Sequence, residues 1–164
     1  MSGLRDARRE DFAAILALNE ESVRFTSPLS AERLDALHRV AAYHRVVEID
    51  REAAAFLLAF REGAPYDSPN YLWFAERYPQ FLYIDRIVVA PAQRGARLGI
   101  ALYDDVIAFA AASRVPWLTC EFDVDPPNPA SMRFHERMGF GEVGTQWLGG
   151  GKKRVSLQAR AISR

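Results

Sequence analysis

The spacing of apolar residues divides the chain into a helical first third and an alternating remainder. Phe12, Ile15, Leu16 and Leu18 recur behind Asp11, which is placed to cap a first helix. After Pro28, Ser30 reads as the N-cap of a second helix with Arg33 to Val40 in its body and Leu34, Leu37 and Val40 at helical spacing. A short strand is predicted near Leu4 to Ala7. β-forming residues then dominate Tyr43 to Ile49, Asp50-Arg51-Glu52 turns the chain, and Ala54 to Phe60 is predicted to return as the second arm of a hairpin. Residues 63–79 interrupt the pattern with Pro65, Pro69, Pro79 and the aromatics Tyr66, Tyr71, Trp73 and Phe74. A loop is expected over 64–69 and a short helix from Asn70 to Tyr78.

The second half alternates strand and helix. Phe81 to Val89 is the clearest strand and stops at Ala90-Pro91. A glycine-containing loop, Gln93 to Gly99, leads into a helix from Leu98 to Ala112. Strand Trp117 to Val124, a proline-rich loop, helix Pro129 to Met138 and strand pieces from Phe140 follow. Gly149-Gly150-Gly151 marks a turn before a last strand, Arg154 to Ala161. This order predicts a mixed α/β fold.

Composition narrows the classes. At 164 residues one domain is expected over 1–164, because a single core of this size buries most of its apolar surface. Twenty-one basic and twenty-one acidic residues cancel, which argues against a cationic surface for duplex nucleic acid. No apolar run reaches the length of about 18 residues that a membrane helix needs. One cysteine, Cys120, excludes an internal disulfide framework and a cysteine-rich zinc site. His38 and His44 lack the partners of a metal site, so no metal is expected. A cytoplasmic location fits these features, and exposed sheet edges leave room for a homodimer.

A strand, a glycine loop and a helix in succession make an arrangement that binds phosphate, since the first helical turn offers free N–H groups and the positive end of the dipole. Arg94-Gly95-Ala96-Arg97-Leu98-Gly99 sits at that junction. It is neither a Walker loop, lacking Gly-Lys-Ser/Thr, nor G-x-G-x-x-G, and alone it equally describes an ordinary turn.

In context the segment says more. Ile87-Val88-Val89-Ala90-Pro91-Ala92-Gln93-Arg94-Gly95-Ala96-Arg97-Leu98-Gly99 resembles the central motif of the GNAT (Gcn5-related N-acetyltransferase) superfamily. Asn128-Pro129-Ala130-Ser131-Met132-Arg133-Phe134-His135-Glu136-Arg137-Met138-Gly139-Phe140 is similar to its second signature. The resemblance implies an α/β (α+β) fold: a mixed, mostly antiparallel sheet of about 6–7 strands with splayed central strands, flanked by about 4 helices. It also implies direct transfer of an acetyl group from acetyl-CoA to an amine of a small molecule or peptide. Two positions depart from the pattern. The first loop glycine falls on Arg97, where a positive φ would disfavour arginine and reshape the loop; the alternative is that Arg97 reaches a phosphate of the cofactor. The usual tyrosine, taken as the acid for the leaving thiolate, falls on His135.

The resemblance assigns the cofactor to Ile87, Val88 and Val89, whose backbone would pair with the pantetheine arm, and to Arg94, Gly95, Ala96, Arg97, Leu98, Gly99 and Ile100 for the pyrophosphate. Asn128 would contact the arm. An amine with a pKa of about 10.4 arrives protonated, so attack requires a base. Glu121 is the first candidate and Asp85 the second; the alternative for each is a strand-end carboxylate paired with arginine or left solvated. His135 is the candidate acid, its alternative a histidine packed on the helix face. Tyr66, Tyr71 and Trp73, with Tyr83 on the face of Asp85, are candidate acceptor-binding residues; the alternative is that these aromatics pack the insert onto the sheet. A non-catalytic acyl-CoA-binding module of the same fold is the competing function.

Overall fold

The computed structural model describes residues 2–23, 26–94 and 97–163. Among these are seven strands and five α-helices. They are β1 (Ser2–Asp6), α1 (Phe12–Glu21), α2 (Ala31–Val40), β2 (Tyr43–Ile49), β3 (Glu52–Arg61), α3 (Pro69–Ala75), β4 (Leu82–Val89), α4 (Leu98–Ala112), β5 (Trp117–Asp125), α5 (Pro129–Arg137), β6 (Gly141–Leu148) and β7 (Lys153–Ala161). The strands follow the order β1-β2-β3-β4-β5-β7-β6 and are mostly antiparallel. The resemblance implies about four helices; the fifth, α3, is the short helix that the sequence predicts in the aromatic insert. The chain divides into two compact units, Met1–Phe60 with Ile84–Val106, and Arg61–Tyr83 with Ile107–Arg164.

In the first unit, β1 and β2 pair antiparallel from Ser2↔Ile49 to Asp6↔Arg45, and β2 and β3 from Tyr43↔Ala59 to Ile49↔Glu52. The tight connection puts both Asp50 and Arg51 at positive φ, 51° and 71°; such a turn matches the twist of a hairpin but is usually made by Asn-Gly. Ser30 caps α2 as the sequence predicts, its Oγ accepting from Arg33 N at 3.1 Å. Asp11 does not cap α1. Its carboxylate instead accepts from Arg8 N and, in a bidentate pair, from the Arg5 guanidinium at 2.7 and 2.8 Å. Ile15, Leu18, Leu34, Val46, Phe56 and Val88 close one core cluster, each such burial stabilising the fold by roughly 1.5–3 kcal/mol. Asp105 of α4 accepts from Tyr43 Oη at 2.6 Å and Arg45 at 2.7 Å, which fastens α4 to β2.

In the second unit, β4 and β5 pair parallel at Leu82↔Leu118 and Tyr83↔Thr119. β5 and β6 both pair antiparallel with β7. Glu121, Leu157 and Gly144 form one cross-strand row and Phe122, Ser156 and Thr145 the next, so the rows face opposite sides. α3 covers the side of Glu121. Trp73 lies against Gly144, closer than any Cβ there could tolerate, and Asn70 Oδ1 accepts from Gln146 Nε2 at 3.0 Å. α5 covers the other side through His135 and Phe122, and ends at Gly139, whose φ of 88° allows Phe140 N to reach His135 O at 3.0 Å.

Candidate functional site

The predicted phosphate loop belongs to the first unit. β4 gives way to a short 3-10 turn, Pro91–Gln93, because Pro91 cannot donate to a ladder. Arg94 follows and is exposed. Gly95 and Ala96 lie outside the described residues. Arg97 has φ 63°, the left-handed region, so the conformation that favours glycine is kept although arginine occupies it. Its carbonyl accepts from Ala101 N at 3.0 Å, making Arg97 the residue that opens α4. The amides of Leu98, Gly99 and Ile100 fall in the first turn, where the helix supplies them no acceptor. Arg97 itself is exposed.

Upstream on β4, Val88 is buried in the core cluster while Ile87 and Val89 are half-buried, as strand alternation requires. Asp85 is held by its neighbour. Arg86 Nε donates to Asp85 Oδ2 at 2.6 Å, and both side chains are about 5% exposed or less. The same guanidinium donates to Asn19 Oδ1, Ser27 O and Ser27 Oγ, all at 3.0 Å. Asp85 is thus a carboxylate paired with arginine, and removing either partner would leave the other charge buried. The sequence reading missed Arg86, a hub joining β4, the end of α1 and the segment before α2. A lone arginine inside an apolar strand was the available signal, since burial of such a residue demands partners.

The candidate base belongs to the second unit. Glu121 is half-buried on β5, and Tyr83 Oη donates to its Oε1 at 2.5 Å. Tyr83 is buried at 1% exposure; its ring meets Tyr71 edge-on at 5.7 Å and Phe74 at 6.0 Å. Tyr83 thus partners Glu121. Tyr71, 2% exposed, donates to Arg61 O at 2.7 Å and accepts from Ala64 N at 3.0 Å. Tyr66 packs on Tyr71 at 5.6 Å and is also buried. These three tyrosines pack the insert onto the sheet, the alternative weighed for them. Trp73 differs, being half-buried on the side of Glu121, with the Arg77 guanidinium over its ring at 4.0 Å.

Asn128 caps α5, its Oδ1 accepting from Ser131 N at 3.3 Å. That use of the oxygen leaves the amide's two N–H donors for another partner. His135 is 5% exposed and surrounded by Phe122, Phe134 and Phe140 at 5.4–5.5 Å. Its Nδ1–H donates to Ser131 O at 2.7 Å. Burial pushes the imidazole below its ordinary pKa, opposed by the Ser131 hydrogen bond. Ser131, one turn earlier on α5, was the visible sign of that i, i+4 contact.

Comparison with known proteins agrees with this architecture. By fold the chain is similar to the ribosomal-protein-S18-alanine N-acetyltransferase from Escherichia coli (18% identity, 100% of this chain and 96% of that one, TM-score 0.76). It is also similar to Ard1 from Thermoplasma volcanium (14% identity, 99% of each chain, TM-score 0.81). A third similar structure is yncA from Salmonella typhimurium, determined with its cofactor acetyl-CoA (17% identity, 100% and 95%, TM-score 0.77). No curated protein matches in sequence. The sequence profile of the Acetyltransferase (GNAT) family matches residues 4–140, and the chain belongs to that family.

Proposed function

We propose that this protein transfers an acetyl group from acetyl-CoA directly to the amine of a small molecule or peptide. The observation that carries the reading is the backbone at Arg97, whose left-handed conformation opens α4. The amides of Leu98, Gly99 and Ile100, with the charges of Arg94 and Arg97, are suited to a pyrophosphate. Membership of the family and the acetyl-CoA carried by yncA support the choice of ligand. The backbone of Ile87 to Val89 would pair with the amide-rich pantetheine arm.

Glu121 is the base in this reading. It takes a proton from the arriving ammonium, the freed nitrogen attacks the thioester carbonyl, and the carbon–sulfur bond breaks as the amide forms. The carboxylate of Glu121 favours a cationic acceptor, whereas Asp123, on the same side of β5 by alternation, is paired with Lys153 at 3.1 Å. The second proton, which nitrogen loses as the tetrahedral intermediate collapses, passes through water to the departing thiolate, since buried His135 gives its Nδ1 proton to Ser131 O. Trp73 supplies an apolar wall for the acceptor.

The test is a panel of primary amines and short peptides, following free thiol release from acetyl-CoA, with Glu121→Gln beside the wild type. Turnover with at least one amine, cut about 100-fold or more in Glu121→Gln while acetyl-CoA affinity is kept, is the expected result. Calorimetry showing acetyl-CoA binding with no turnover on any amine would transfer the protein to the non-catalytic reading. No heat with acetyl-CoA would end both.

A further inference from the structure

Glu121 has a buried partner that sequence alternation assigned elsewhere. Tyr83 Oη donates to Glu121 Oε1 at 2.5 Å, and the phenol is 1% exposed. Two observations show that this donor is fixed. The parallel pairing Tyr83↔Thr119 sets the register of β4 against β5 two residues before Glu121. The Tyr83 ring is then flanked by Tyr71 and Phe74, both from α3, and Tyr71 is anchored through its own hydroxyl to Arg61 O and Ala64 N. Side-chain motion at Tyr83 would require α3 to move, and α3 is attached to β6 through Asn70–Gln146 and Trp73–Gly144.

We propose that Tyr83 is a positioning residue for the acceptor-activating carboxylate: its phenol holds Glu121 Oε1, and the aromatic insert α3 locks that phenol in place. This rests on the reading of Glu121 as the base. A phenol that holds one carboxylate oxygen fixes the rotamer of the group that meets the ammonium. It also stabilises the ionised carboxylate, because a hydrogen bond given to the charged form favours that form. The insert thereby serves catalysis without its tyrosines touching substrate.

The experiment compares wild type, Tyr83→Phe, Glu121→Gln, the double variant and Tyr71→Phe. Each is assayed with acetyl-CoA and the amine that gives the highest turnover in the panel above. Tyr83→Phe keeps the ring and removes only the donor, so the fold is retained; a thermal melt checks this. The expected outcome is a fall in kcat of about tenfold with the KM for acetyl-CoA unchanged. The acidic limb of kcat/KM should move to higher pH, since the carboxylate loses a hydrogen bond to its charged form. The double variant should be no slower than Glu121→Gln alone, because the phenol acts only through the carboxylate. Tyr71→Phe, which loses the anchor of the insert but leaves the Tyr83 hydroxyl in place, should lower the melting temperature and move that limb in the same direction by less than Tyr83→Phe does. If Glu121→Gln is slow but Tyr83→Phe retains the wild-type kcat and pH limb, the positioning role is overturned while the base stands. If Glu121→Gln is as fast as wild type, the base itself is wrong and the inference falls with it.

Discussion

The imidazole of His135 donates from Nδ1 to the carbonyl of Ser131, 2.7 Å away and one turn earlier on α5. A histidine tied to its own helix and enclosed by three phenylalanines is built to pack. His135→Phe should therefore leave kcat within about threefold of wild type and the pH profile unchanged, whereas loss of a true general acid costs 10²-fold or more. Steady-state kinetics across pH 6–9 checks this, and a drop of that larger size in a folded variant would return His135 to the mechanism.

Arg97 occupies a left-handed backbone position that glycine would adopt without strain. Arg97→Gly and Arg97→Ala both remove the charge, but only the first removes the strain. The glycine variant should melt higher than the alanine variant, by about 1 kcal/mol in unfolding free energy. Both should raise the KM for acetyl-CoA if the guanidinium serves a phosphate, and equal KM values for all three proteins would show that it does not.

Trp73 lies where a Cβ on Gly144 would stand. Gly144→Ala should cost about 1–3 kcal/mol of stability through overpacking. The same substitution in a Trp73→Ala background should cost almost nothing further, because the ring it displaces is gone. Denaturant unfolding of the two single variants and the double variant measures the difference; additive costs would mean that the contact does not restrain β6.

His38 and His44 face each other in the first unit, Nδ1 to Nδ1 at 2.8 Å, so one ring donates and the other accepts. Burial, aided by the charge of His38, lowers the His44 pKa to about 4, with Asp11 acting in the opposite sense. Burial and Arg9 also lower His38, against Asp35. The folded state therefore binds fewer protons than the unfolded chain between about pH 6.5 and 4. Stability is full above that window and falls as pH drops through it, by an amount of order 3 kcal/mol for His44. Unfolding midpoints at pH 7, 6, 5 and 4 should show the decline, and His44→Leu should flatten it; a parallel decline in the variant would place the titration elsewhere.

Much of the fold was legible because it is written locally. The strand Tyr43–Ile49 and the helix Leu98–Ala112 have the predicted bounds, since β-branched runs and helical spacing are properties of the segment itself. In the candidate site, motif context made legible the positive φ at Arg97. The partner of Glu121 was not, because strand alternation places Tyr83 and Asp85 on one side of an isolated β4 but cannot say which strand lies alongside or in what register. The same non-local information separated Asp85, absorbed by Arg86, from Glu121, and decided that Tyr71 is a strut while Trp73 keeps part of its surface open. Asp11 was read as a cap from its position, yet Arg5 competes for its carboxylate across a turn that local pattern does not reveal.

Cys120 is the chain's one thiol, 2% exposed on β5 next to Glu121. A sulfur so enclosed is shielded from alkylating and disulfide reagents while the strand stays seated. An assay that counts released coenzyme A thiols thus runs against a silent protein background. Any slow labelling of the enzyme then becomes a stopwatch for the local opening of the very strand that carries the proposed base.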